Sequence, residues 1–130
     1  MNNNDVIKEW FVFAKRDLDT AKHLYEHMQP RPLEIICYHC QQSAEKALKG
    51  LLISKSVVAP RTHDLTVLCV LCMENGGDLN SVFDLCSDLT LYGVQPRYPY
   101  EIEIKQETCE SALENASKIY NAVFEQSEIV

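Results

Sequence analysis

The sequence predicts an all-α protein, an up-and-down bundle of about five helices, three long and two short. Apolar residues recur through most of the chain with the i, i+3, i+4, i+7 spacing of helices that bury one face. No stretch of useful length shows the alternation of a strand. With only 4 Gly and 5 Pro in 130 residues, and no linker or repeat, we expect a single domain over residues 1–130.

The central helix of this bundle is predicted around Cys37–Leu52 (CYHCQQSAEKALKGLL). Its apolar or small positions are Leu33, Ile36, Cys37, Cys40, Ala44, Ala47, Leu48 and Leu51. Its opposite side carries Tyr38, Gln42, Glu45, Lys46 and Lys49. A helix with two apolar lines is expected to be covered twice, by its own core and by a partner. Small residues at Ser43 and Gly50 would let that partner come close.

The first helix is predicted from about Asn4 to Met28, with Asn4 as its N-cap. Pro30 and Pro32 end this helix and start the central one. Phe13 falls on the charged side of the first helix, where no core buries it. We therefore consider Phe13, together with the central helix, as a candidate contact with a second copy of the chain.

A short third helix is predicted after Pro60, with Thr62 as its cap and with His63 and Asp64 in its first turn. Leu65, Leu68, Cys69 and Cys72 would face inward. The sequence NGGD at 75–78 is a stop signal.

A fourth helix is predicted from about Leu79 or Asn80, with Gly93 as its C′ residue. The segment Val94–Glu103 (VQPRYPYEIE) is the one long loop that the sequence predicts. The last helix is expected from about Lys105 to Gln126.

The overall charge and the termini restrict the class of protein. A net charge of −7 opposes broad, non-specific binding of polyanions, so a nucleotide or RNA site must be a local basic cluster. No apolar run approaches the ~20 residues that cross a bilayer. The start, MNNNDVIKEW, lacks the basic and apolar regions of a secretory signal. We therefore expect a cytoplasmic protein without membrane contact and with reduced cysteines.

Four of the six cysteines form two CxxC pairs, Cys37 with Cys40 and Cys69 with Cys72. Such pairs can supply the four thiolates of a structural zinc site. Here both pairs lie in uninterrupted helical sequence on the apolar stripe, where free cysteine acts as a small buried hydrophobe. The sequence favours the core interpretation and predicts neither a metal nor another cofactor. Thiol catalysis is disfavoured because an apolar setting raises the pKa of a thiol.

Several segments together resemble the HEPN domain, the nucleotide-binding domain named for higher eukaryotes and prokaryotes. They are Trp10, Ala14, Asp17-Leu18 and Ala21, then YHCQQSAEKALKGLL, then Arg61-Thr62-His63-Asp64-Leu65, then Arg97-Tyr98-Pro99. The resemblance implies a small stand-alone HEPN bundle of the nucleotidyltransferase substrate-binding-subunit type. It also implies a homodimer with a polar cleft between protomers that binds nucleotides or RNA. Many bacterial members are encoded beside a small nucleotidyltransferase, and some are ribonuclease toxins.

The sequence departs from the ribonuclease members of that family. Those members carry an Arg and a His with four to six residues between them, at the dimer cleft. Arg61 and His63 are too close together, and Arg97 has no His after it. Arg16 and His23 satisfy the spacing, but they lie in the first helix on a solvated face, which is the wrong context for the motif.

Two segments carry the main candidates for ligand contacts. His63 and Arg61 lie near a predicted helix start, where free N–H groups favour an anion, although capping alone also explains such residues. Arg97 and Tyr98 combine a guanidinium for phosphate with a ring for base stacking, or they form a stiff connecting turn. Lys46 and Lys49 on the central helix would either add positive charge to the cleft or form a solvated strip with Glu45.

Three functional hypotheses follow. The favoured one is a homodimeric HEPN-like module that binds a nucleotide or RNA, with a separate minimal nucleotidyltransferase as a candidate partner in a regulatory or toxin–antitoxin-like role. The second is a metal-independent endoribonuclease toxin, in which His63 acts as acid/base and Arg97 stabilises the phosphorane. The third is a structural dimerisation domain without a small ligand.

Overall fold

A computed structural model describes residues 3–93 and 103–128, and these residues form an all-helical bundle without strands. The helices are α1 (Asn3–His27), α2 (Leu33–Ser54), α3 (Leu65–Glu74), α4 (Phe83–Thr90) and α5 (Gln106–Gln126). Single 3-10 turns, Asn80–Val82 and Leu91–Gly93, precede and follow α4. The predicted bundle of three long and two short helices is confirmed. Within the described ranges, no helix is long and apolar enough to span a membrane.

Helix α2 is the centre of the bundle and contacts each of the other four helices. More than half of its residues are buried, and they include Gln41 and Glu45 as well as the expected apolar positions. The prediction that Glu45 belongs to a solvated strip is therefore wrong. Glu45 is buried because partners from α2 itself and from the segment before α3 surround its carboxylate.

Gly50 of α2 faces α1 within the same chain. A Cβ atom on Gly50 would lie 3.0 Å from Phe11 Cε2 and 3.1 Å from Trp10 Cβ, so only glycine fits there without a shift. Ser43 is also fully buried. The partner predicted to come close at Gly50 is thus α1 of the same chain. Phe13, in contrast, is 47% exposed as expected, with the Arg16 guanidinium 5.3 Å from its ring centroid.

Contacts of Arg31 stabilise the connection between α1 and α2. Its Nε atom donates to the carbonyl oxygen of Tyr25 at 2.7 Å, and its guanidinium lies 4.0 Å from the centroid of the Tyr25 ring. Its Nη1 atom also donates to Gln106 Oε1 at 3.0 Å, at the start of α5. One side chain therefore joins α1, the turn and α5.

The ends of the short helices differ from the sequence prediction. Asp64, not Thr62, is the N-cap of α3, and its carboxylate accepts from the backbone N–H groups of Thr66 and Val67. Thr62 instead accepts the N–H of Asp64. Helix α3 ends at the predicted stop, where Gly76 adopts a φ of +93°.

Two predicted boundaries of the fourth helix also change. Leu79 and the turn Asn80–Val82 precede the α-helix, which starts only at Phe83. The helix ends at Thr90, so Gly93 closes a 3-10 turn rather than capping the α-helix as its C′ residue.

Candidate functional site

A buried carboxylate, that of Glu45, organises the polar groups between α2 and the start of α3. Its side chain is only 7% exposed. Oε1 accepts from His63 Nδ1 at 2.8 Å and from Gln41 Nε2 at 3.2 Å, and Oε2 accepts from Lys49 Nζ at 3.1 Å. Burial alone would raise the pKa of Glu45, but the hydrogen bonds from His63, Gln41 and Lys49 outweigh it and hold the pKa below 4.5. Glu45 is therefore an anion that accepts hydrogen bonds from three donors.

The contact with Glu45 fixes the orientation of His63. Because an ionised carboxylate only accepts hydrogen bonds, Nδ1 of His63 must carry the hydrogen in this pair. The other ring nitrogen, Nε2, is then left for a different partner, and the His63 side chain is 69% exposed. The arrangement is a carboxylate–imidazole pair that presents one imidazole nitrogen to solvent.

Gln41 ties this pair to two further parts of the chain. Its Nε2 atom also donates to the carbonyl oxygen of His63 at 2.9 Å, and its Oε1 atom accepts from Gln42 Nε2 at 2.8 Å. A Cβ on Gly93 would lie 3.2 Å from Gln41 Nε2 and 3.6 Å from the Cβ of His63. The backbone at Gly93 thus lies directly against Gln41 and His63, and a side chain at that position would press on both.

A second carboxylate cluster lies between α1 and α2. Asp17 accepts from His39 Nδ1 at 2.9 Å and from Lys46 Nζ at 2.5 Å, and its own side chain is 12% exposed. Burial alone would raise the pKa of Asp17, but the bonds from His39 and Lys46 outweigh it and hold the pKa below 3.8. Along α2, Lys46 therefore pairs with half-buried Asp17 and Lys49 pairs with buried Glu45.

The structure brings some of the predicted ligand residues together and separates others. His63 and Lys49 meet on one carboxylate, that of Glu45. Lys46 belongs to the Asp17 cluster instead. Arg61 is exposed, two residues before His63, and forms no ion pair with any described residue. Arg97 and Tyr98 lie outside the described residues.

The structure changes two details of the anion site predicted at the start of α3. His63 precedes the helix instead of lying in its first turn, and the free N–H groups there are already bound by the Asp64 carboxylate. The Lys49 prediction also changes. With its side chain only 12% exposed beside Glu45, Lys49 is part of a buried ion pair and not of a solvated strip.

Sequence reasoning missed the roles of Gln41 and Glu45 in the site, and those of Asp17 and His39 in the second carboxylate cluster. They are polar residues that become half-buried or buried only because a second chain segment faces them. One available signal was the amphipathic register, since Gln41 lies one turn after Cys37 on the apolar line. A glutamine at such a position indicates a buried hydrogen-bond network.

The Arg16–His23 pair, which has the ribonuclease spacing, is not assembled into a site. Both residues are exposed on α1. Arg16 lies over Phe13, and the ring of His23 lies 4.6 Å from that of His27. The context argument against this pair is therefore supported by the structure.

All six cysteines are free and fully buried. Cys37 interacts with Cys109, and Cys69 interacts with Cys86, so the two CxxC pairs belong to different parts of the core. Among the described residues, no group of three or more His, Cys, Asp or Glu side chains could hold a metal ion. Burial raises the pKa of both Cys40 and Cys72 to about 12, which keeps these thiols protonated at neutral pH.

Comparisons with known proteins agree with the all-helical fold and with the resemblance of the sequence motifs to the HEPN domain. The family model described as the HEPN domain matches residues 7–127. TT1696 from Thermus thermophilus is 26% identical, with a TM-score of 0.77, and the match covers 92% of this chain and 97% of that one. ST0689, described as an archaeal HEPN homologue, is 23% identical, with a TM-score of 0.72 over 94% of this chain and 98% of that one, and shows the same fold. A search of curated proteins gave no significant match. The chain therefore belongs to the HEPN domain family, a fold family of nucleotide-binding and ribonuclease-type proteins.

Proposed function

We propose that this protein is a homodimeric module that binds a nucleotide or a short RNA segment beside the Glu45–His63 pair. The observation that carries the proposal is the orientation of His63, whose Nδ1 is held at 2.8 Å by a buried carboxylate while its side chain remains 69% exposed. A side chain that is oriented in advance loses little conformational freedom when it binds a ligand.

Cations next to His63 fit an anionic ligand. Arg61 is exposed two residues before His63, and Lys49 reaches the same carboxylate from α2. A lysine ammonium has three hydrogen-bond donors. Glu45 accepts one hydrogen bond from Lys49, and Asp17 accepts one from Lys46, so each lysine keeps donors for a ligand. Local positive charge of this kind is required because the whole chain carries −7.

The proposal includes Arg97 and Tyr98 as further ligand contacts, the guanidinium for phosphate and the ring for a base. What supports their inclusion is the position of Gly93, four residues before Arg97, against Gln41 and His63. The proposal also includes a second copy of the chain and a separate minimal nucleotidyltransferase as partners, in a regulatory or toxin–antitoxin-like role. Membership of the HEPN family supports the second copy, because HEPN domains commonly dimerise. The nucleotidyltransferase is included on the family resemblance of the sequence alone.

The test is a thermal-shift and calorimetric titration of the purified protein with ATP, GTP and short RNAs at low salt, with and without Mg²⁺. A ligand that binds only the folded state adds about 2.7 kcal/mol of stability at a hundredfold excess over its dissociation constant. We expect His63→Ala and Arg97→Ala each to weaken binding about tenfold or more, as for a lost hydrogen bond to a charged group.

His23→Ala is the matched control, because His23 is an exposed histidine on α1 outside the site. It is expected to leave binding unchanged. If no nucleotide or RNA changes the melting temperature, the proposal fails and the structural dimerisation domain takes its place. A monomer in light scattering at micromolar concentration would remove the homodimer from the proposal.

A metal-independent endoribonuclease is the second candidate, and one observation favours it. Because the Nδ1–H group of His63 donates to Glu45, the Nε2 atom of the neutral ring can accept a proton. Such an atom suits a general base that deprotonates a ribose 2′-hydroxyl. In this alternative Arg97 stabilises the phosphorane. Cleavage of RNA in the presence of EDTA that is lost in His63→Ala and kept in His23→Ala would establish it. Binding without cleavage would leave the module as a binder.

A further inference from the structure

A concave surface lies between α1 and α5. We refer to it as the α1/α5 groove. Its cavity has a volume of about 440 Å³, and its floor is apolar, made by Phe11, Val12, Tyr120 and Phe124. Phe11 is buried, whereas Val12 is 47% exposed. The groove shares no lining residue with the Glu45–His63 site, and nothing in the proposed function uses it.

The edge of the α1/α5 groove is cationic. Lys8, Lys15 and Arg16 line it, and none of the seven lining residues is acidic. Lys15 forms an ion pair with Asp19 at 2.8 Å, but both side chains are exposed. The pair is therefore weak and leaves Lys15 able to bind another acid. In a chain with a net charge of −7, an apolar floor edged by three cations is a local exception. Charge complementarity therefore selects an acidic, apolar occupant.

The shape of the groove suits a helix. Lys8, Val12 and Lys15 follow one another at helical spacing along α1, and from Lys8 to Arg16 the edge is about 12 Å long. Two turns of an amphipathic helix match this length, with apolar side chains on the floor and acids beside the cations.

The floor is poorly suited to a nucleic acid base. Tyr120 and Phe124 stack on each other, with ring centroids 5.7 Å apart and an interplanar angle of 8°. The Phe11 ring packs edge-on against both. The ring faces that contact one another in this cluster are not available for stacking with bases.

We propose that the α1/α5 groove is a docking site for an acidic amphipathic helix of a partner protein. The floor takes apolar side chains from one face of that helix. Lys8, Lys15 and Arg16 pair with Asp or Glu residues on the flanks of the same face.

The test uses the full-length protein and a fluorescent synthetic peptide of about four helical turns, with Leu at i, i+3, i+4, i+7 spacing and Glu on both flanks. Fluorescence anisotropy at low salt is expected to show binding about tenfold tighter than for a scrambled peptide of the same composition. Lys15→Glu and Arg16→Glu should each weaken binding about fivefold or more, because each reversal adds repulsion as well as removing attraction. Val12→Gln should weaken it by removing an apolar contact.

The chain offers a matched control in Lys118, which forms an exposed i, i+4 pair with Glu114 at 3.0 Å, as Lys15 does with Asp19. Lys118→Glu should leave peptide binding unchanged. Equal affinity for the ordered and scrambled peptides would overturn the proposal, as would equal effects of Lys15→Glu and Lys118→Glu. Displacement of the peptide by short RNA, or a dimer in light scattering that Lys15→Glu disrupts, would assign the groove to nucleic acid or to a second copy of this chain instead.

Discussion

His63 Nδ1 donates to Glu45 Oε1 across 2.8 Å, so a largely exposed imidazole is held by a largely buried carboxylate 18 residues earlier in the chain. The two residues come from different segments, the middle of α2 and the approach to α3. We therefore expect them to behave as one unit when either is changed.

The first prediction is a measurable coupling between Glu45 and His63. In a double-mutant cycle on the free energy of unfolding, with Glu45→Gln, His63→Ala and the double variant, we expect a coupling of about 1 kcal/mol. This is below the usual value for a bond to a charged group, because His63 is mostly exposed. The same cycle on Lys15 and Asp19, an exposed pair, should give a few tenths of a kcal/mol. Additive effects at Glu45 and His63 would contradict the pairing.

The second prediction concerns acid. Hydrogen bonds that outweigh burial hold the folded-state pKa values of Asp17 and Glu45 below the ordinary values of these side chains, so each carboxylate stabilises the fold at neutral pH. That stability is lost as the pH falls through the lowered pKa values, because the unfolded chain takes up protons first. Urea unfolding at pH 7, 4.5 and 3 should show a falling free energy of unfolding.

Asp17→Asn provides the comparison for this pH series. It should lose less stability between pH 4.5 and 3 than the parent protein, since it lacks one of the protonating groups. Asp19→Asn, an exposed change on the same helix, serves as the control. An Asp17→Asn variant as acid-sensitive as the parent would refute the assignment.

The third prediction tests the close approach of α1 and α2. Gly50→Ala places a methyl group 3.0 Å from the ring of buried Phe11. Overpacking of this kind costs about 1–3 kcal/mol, against a gain of up to about 1 kcal/mol in helix propensity, so a net loss of stability is expected. The cost of Gly50→Ala should shrink in a Phe11→Leu background, where the opposing ring atom is gone. An unchanged or increased melting temperature for Gly50→Ala alone would count against this packing.

The fourth prediction concerns the buried hydroxyl of Ser43. Among the described residues its Oγ has no hydrogen-bond partner, and an unsatisfied buried group is costly. Ser43→Ala is therefore expected to raise the free energy of unfolding by about 1 kcal/mol. Ser54→Ala is the opposite case, because Ser54 Oγ donates to the carbonyl oxygen of Leu51 at 2.6 Å, and it should not stabilise the protein. A destabilised Ser43→Ala would reveal a partner for this hydroxyl.

The fifth prediction is that the native thiols are inert. All six cysteines are fully buried, so a reagent in solution does not reach them. Burial also raises the pKa values of Cys40 and Cys72 to about 12, whereas hydrogen bonds with Cys86 and Cys37 lower the pKa values of Cys69 and Cys109. Ellman's reagent at pH 8 should label none of them on the timescale of minutes in the native protein, and all of them in denaturant. Rapid labelling of a native thiol would indicate an open route into the core.

The helices could be predicted from the sequence because their burial has a regular period. For α1, α2 and α5 the apolar spacing and the flanking prolines located the ends to within a few residues. At α3 both Thr62 and Asp64 are good caps, and propensity does not distinguish them. Asp64 is selected because its carboxylate reaches two N–H groups of the first turn. The unit Asn80–Val82 was merged with α4 because one apolar stripe runs through both.

The site was harder to predict because it depends on contacts between distant segments. His63 and Lys49 were identified by residue type, yet nothing in the local pattern showed that both would meet Glu45. Gly50 was recognised as a close approach, but its neighbour proved to be α1 of the same chain. The helical period of a sequence indicates which residues face inward, but it does not indicate which other segment they contact.

The position of α2 at the centre has a consequence for motion within the fold. Because α2 contacts each of the other helices, separating any one of them leaves the remaining three to hold it. Amide hydrogens in the middle of α2 can therefore exchange with solvent only when the whole domain opens, whereas those of the short α3 and α4 can exchange through local openings. We therefore expect Glu45 to belong to the segment whose amide hydrogens exchange most slowly. We expect its partner His63 to belong to a segment whose amide hydrogens exchange faster.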